Sequence, residues 1–140
     1  VRDLARARML ALPAPATPDD ARALLEALER QPCRDARLLA RAWRAAGGEA
    51  EFDARTLEAA RRYLASPDRS TGKRASEDFA AQVKAWAGTV KAKPAKAAWA
   101  ERLLKEFEGR EMLEIRGKRS LDPAAAELFR LAGRVPPAAA

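Results

Sequence analysis

Residues 83–100 read VKAWAGTVKAKPAKAAWA and carry Lys84, Lys91, Lys93 and Lys96 with no acidic residue. Trp86 and Trp99 flank these lysines, while Gly88 and Pro94 interrupt the helical pattern. Local positive charge beside large aromatics is one mark of a surface that meets nucleic acid. Two further segments carry the same signal. STGKRAS and RGKRSLDP each set a Lys-Arg pair, Lys73-Arg74 and Lys118-Arg119, and hydroxyl side chains just ahead of an expected helix start. Cationic side chains and free backbone N–H groups can there converge on a phosphate. An exposed turn with ordinary capping residues has the same composition, so the weight lies in the three segments taken together.

Other chemistry is thinly represented. The chain contains no histidine, which removes imidazole acid–base catalysis, the Ser-His-Asp arrangement and histidine metal sites. Cys33 is the single cysteine and builds neither an intramolecular disulfide nor a cysteine-ligated metal site. The two GKR segments lack the upstream glycine of a phosphate loop. No carboxylate pair stands out from helix surface charge. These residues point to binding rather than catalysis, with no cofactor or metal expected.

The charge is regional. The net charge is +7, yet residues 1–68 hold 12 Arg against 11 Asp and Glu, while residues 69–121 hold 13 Lys and Arg against 7 Asp and Glu. Every lysine falls between Lys73 and Lys118. A basic excess confined to one part of the chain suits an anionic partner better than a uniformly basic chain would.

The elements that must present these residues are expected to be helical. The composition is dominated by Ala, Leu, Arg and Glu, which are good helix formers, and β-branched residues are few. Caps and apolar stripes predict about seven short amphipathic helices in an all-α bundle: near 2–12, 18–30, 34–46, 53–65, one after Ser76 through Val90, one from Pro94 to Gly109 and one near 123–132. Pro94 either starts the sixth or kinks a helix continuous with the fifth. Thr17-Pro18 and Asp122-Pro123 supply N-caps with a first-turn proline. Gly47-Gly48 and Ser66-Pro67 are expected to end the third and fourth helices, and Asp53 and Ser76 to cap the fourth and fifth. Phe79, Val83, Trp86 and Val90 recur at helical spacing, as do Trp99, Leu103 and Phe107, so both tryptophans read as core residues. Arg34, Arg37, Arg41 and Arg44 share one face of the third helix, read as its solvated side. Residues 110–116, REMLEIR, are the one plausible extended segment, with Gly117-Lys118-Arg119 a basic turn after it.

The polar run 68–76 is the best internal boundary. It divides a near-neutral helical subdomain, 1–68, from a basic one, 69–134, with a disordered tail at 135–140. No apolar run is long enough for a membrane span, and the single thiol fits a cytoplasmic location. Val1 in place of Met suggests a fragment, a processed chain or an alternative start codon. The expected function is nucleic-acid binding, to DNA rather than RNA, as an accessory module of a larger protein or complex. The residues expected to contact phosphate are Lys73, Arg74, Lys84, Lys91, Lys93, Lys96, Lys118 and Arg119. The alternative is a helical protein-interaction or scaffold domain with an acidic partner.

Overall fold

The computed structural model describes Ala23, Glu26 and residues 36–137. The helices expected near 2–12 and 18–30 fall outside these residues, apart from the two named, as do Arg34, Cys33 and the last three residues of the tail. The chain divides into two compact units, Val1–Arg55 and Thr56–Ala140.

The first long helix, α1, spans Ala36–Ala65 and continues from one unit into the other. Only Gly47 and Gly48 leave helical geometry, Gly48 with φ of 73° and ψ of −160°. Without a Cβ, glycine takes that left-handed φ at little cost. The expected third and fourth helices are therefore one element with a kink, and Asp53 lies inside it rather than at an N-cap. Within the first unit, Leu39, Trp43 and Phe52 are buried. The Arg44 guanidinium lies 3.9 Å over the Phe52 ring and bonds Glu49 at 2.6 Å, so the side chains on either side of the kink are held together.

The second unit is built from the last turns of α1 and six further elements. A 3₁₀ turn, Pro67–Ser70, leads to α2, Arg74–Ala87, and α3, Lys93–Glu106. Strands β1, Met112–Ile115, and β2, Lys118–Leu121, follow, then α4, Pro123–Ala132. Both α2 and α3 pack against α4, whose Ala124, Ala125, Leu128 and Phe129 are buried. The apolar stripe Phe79, Val83 and Trp86 of α2 faces inward, and so does Trp99, Leu103 and Leu104 of α3. Tyr63 of α1 stacks on Phe79 with ring centroids 4.5 Å apart, and Phe107 lies 6.1 Å from Tyr63. The Trp99 indole donates to the Thr56 hydroxyl at 3.0 Å inside this core.

The hairpin overturns the all-α expectation, and residues 36–137 hold four α-helices where the sequence places five of the expected seven. Its strands pair antiparallel, Met112 opposite Leu121 and Ile115 opposite Lys118. The two-residue loop Arg116-Gly117 has positive φ at both positions, 54° and 76°, the geometry that matches the twist of short hairpins. Lys118 and Arg119 are thus strand residues and not part of the turn. The strand expected near 112–116 is present; its partner is what the charged KRSL sequence concealed.

A buried polar network holds the unit's parts together. Asp122 is fully buried and accepts from Tyr63 Oη at 2.7 Å, Arg69 Nε at 3.1 Å and the Ala124 N–H at 2.8 Å. The last of these is the α4 N-cap bond expected from Asp122-Pro123. Arg69 also donates to the Arg110 carbonyl, which joins the 3₁₀ turn to the start of the hairpin. Burial, and then the bond and charge of Asp122, push the Tyr63 phenol well above its ordinary pKa. At the other end of α4, Gly133 takes a left-handed φ of 70° and closes the helix.

Candidate nucleic-acid interface

The two GKR segments, more than forty residues apart in the chain, line one open groove of about 460 Å³. The turn before α2 gives it Thr71, Gly72 and Lys73. The hairpin gives it Ile115, Arg116, Lys118 and Ser120. Lys73 stands at the N-cap position of α2 with no side-chain cap bond. Ser76, expected to cap this helix, lies within its first turn, and its hydroxyl donates back to the Lys73 carbonyl at 2.9 Å. Among the described residues no carboxylate lines the groove, and Lys73, Arg116 and Lys118 pair with none of the described carboxylates.

Strand pleating decides which hairpin residues reach the groove. Directly opposed residues share a face: Leu113 with Ser120 and Ile115 with Lys118 on one side, Met112 with Leu121 and Glu114 with Arg119 on the other. Lys118 therefore faces the groove, while Arg119 faces away beside Glu114. A comparable division separates the first Lys-Arg pair. Arg74 lines a neighbouring recess with Asp68 and Asp78 and lies 4.0 Å from the Asp78 carboxylate. So Lys73 and Lys118 are brought together, and Arg74 and Arg119 sit beside acids instead.

Lys84, Lys91, Lys93 and Lys96 form a separate set around the α2–α3 connection. Lys84 stands about 16 Å along the α2 axis from Lys73, and Lys91, Lys93 and Lys96 follow beyond the helix end. Lys84, Lys91 and Lys93 are exposed, Lys96 is half-buried, and none pairs with a described carboxylate. In the first unit Arg37 and Arg41 are exposed, while Arg44 is engaged by Glu49 and Phe52.

Trp86 and Trp99 are buried, and so is every other tryptophan, phenylalanine and tyrosine. None offers a ring face to a base. No group of three or more acidic or cysteine side chains suited to a metal occurs among the described residues. No helix among them is long and apolar enough to cross a membrane.

Sequence reasoning missed Arg116. The signal was present: an alternating segment, then Arg-Gly, then a residue pair able to return as a strand. At a φ of 54° an arginine is strained where asparagine is favoured. Arg116→Asn is therefore expected to raise stability by roughly 0.5 kcal/mol while removing one groove cation. Urea denaturation checks the first effect, and a lower midpoint would contradict it.

Comparison with known proteins gives no match to a family model, a curated protein or a solved structure.

Proposed function

We propose that this chain is a nucleic-acid-binding module that works through phosphate contacts, on DNA rather than RNA, within a larger protein or complex. The observation that carries this reading is the meeting of Lys73, Arg116 and Lys118 in one groove that no described carboxylate lines. Cations left unpaired by the fold have their strongest available partners in phosphate oxygens. The lysines at the far end of α2 extend the same surface chemistry. Buried aromatics argue for backbone contacts over base stacking, and single-stranded RNA readers depend on stacking.

The second reading, an interaction domain for an acidic protein, draws on the same cations. Val135 is the lone exposed large hydrophobic among the described residues, which gives that reading no apolar docking surface.

Fluorescence anisotropy with duplex DNA, single-stranded DNA and RNA at several salt concentrations tests the proposal. Affinity is expected to fall steeply with salt, and removing one phosphate-binding cation is expected to lower the log–log slope by about 0.9 on duplex DNA. Changing Lys73, Lys91, Lys93 and Lys118 together to Ala should flatten the slope and leave the helical circular dichroism intact, since all four are exposed. Absence of binding to all three nucleic acids at low salt would refute the proposal and leave the acidic-partner reading.

A further inference from the structure

The groove has features that a general backbone-tracking surface does not need. Three cations from two distant segments line this open groove together with Thr71 and the Ser120 hydroxyl, with Ile115 as an apolar wall. Its volume of about 460 Å³ is of the size that holds a small ligand. A duplex flank is met by a broad surface, and each of its backbone phosphates carries a single charge. A terminal phosphoryl group carries a charge of about −1.5 to −2 and three strong acceptor oxygens. That charge and those oxygens match three cations and the Ser120 hydroxyl better than a single diester does, the Thr71 hydroxyl already donating to the Asp68 carbonyl at 3.1 Å.

Resting on the nucleic-acid reading, we infer that this groove receives the phosphorylated end of a strand. Lys73, Arg116 and Lys118 surround the terminal phosphoryl group, and Ile115 lies against the sugar or base that carries it. Lys84, Lys91, Lys93 and Lys96, around the far end of α2 and the start of α3, hold the backbone of the strand body.

The test uses the full chain and one labelled oligonucleotide made with a 5′-phosphate, a 3′-phosphate or hydroxyl ends, single-stranded and duplex. A phosphorylated end is expected to bind at least about tenfold more tightly than the hydroxyl-ended strand. Lys73→Gln with Lys118→Gln is expected to erase that ratio while weaker, salt-sensitive binding persists. Lys91→Gln with Lys93→Gln removes the same amount of charge and is expected to weaken all strands alike and keep the ratio. Equal affinity for phosphorylated and hydroxyl ends would overturn the strand-end assignment and leave nucleic-acid binding standing. So would a ratio that survives in the Lys73/Lys118 variant. A nucleoside monophosphate that competes as well as the end-phosphorylated strand would assign the groove to a mononucleotide and likewise overturn it. Failure of every oligonucleotide to bind would remove both readings together.

Discussion

Asp122→Ala is expected to lower the free energy of unfolding by about 3–5 kcal/mol, the range for breaking a buried charged pair from one side. The Asp122 carboxylate is fully buried and the Arg69 side chain is 13% exposed, so little water is at hand to replace the missing partner. Removal leaves Tyr63 Oη and Arg69 Nε without their acceptor and takes the cap from α4. Unmet polar groups in a core cost more than the bonds gained when they pair. Asp122→Asn keeps one oxygen, for the cap on the Ala124 N–H, but sets its amide NH2 where Oδ2 accepted from Tyr63 and Arg69 and removes the charge, so it should fall between wild type and Asp122→Ala. Urea denaturation monitored by circular dichroism measures both. An Asp122→Ala protein with an unchanged midpoint would show that the network contributes nothing to stability.

Trp99→Ala should cost about 3–5 kcal/mol, the usual range for emptying a core position of this size. Trp99 is 1% exposed, lies beside Ala100 and Leu103 on the inner face of α3, and bonds Thr56. Its loss opens a cavity between α3 and the last turns of α1. Trp99→Phe retains much of the ring volume and gives up the indole bond, so it should cost less. Denaturation midpoints of the two variants separate packing from hydrogen bonding. A stable Trp99→Ala protein impaired only in nucleic-acid binding would instead make this ring a contact for bases.

Helices with a strong apolar period were legible from sequence. The stripe through Phe79, Val83 and Trp86, the α4 cap at Asp122 and the stop at Gly133 all follow local rules and stand where those rules put them. What depended on distant partners was not legible. β2 reads KRSL, with no alternation strong enough to mark a strand; pairing with β1 and the tight loop at Arg116-Gly117 make it one. Gly47-Gly48 marked a helix end correctly in kind, but helical geometry resumes at once and the break becomes a kink. For the groove, the types of residue were visible and their grouping was not. Lys73 and Lys118 meet only because the chain returns through α2, α3 and β1. Arg74 and Arg119 diverge from them because adjacent residues in a helix turn or a strand point in different directions.

The length of the hairpin loop has a consequence for how this protein tolerates insertions. Surface loops ordinarily absorb an added residue with little effect. Here two residues, Arg116 and Gly117, fix the pairing of Ile115 with Lys118. A strand shifted by one position exchanges its faces. If the shift were taken up in β2, Arg119 would turn toward the groove, Lys118 would turn toward Glu114, and Ser120 would leave the wall. With a neutral residue inserted, the net charge and the helices would be unchanged, yet the donors presented to a ligand would be different. Natural variation in this segment should therefore favour substitution over insertion or deletion, and the loop's length should be guarded more strictly than the identity of its first residue.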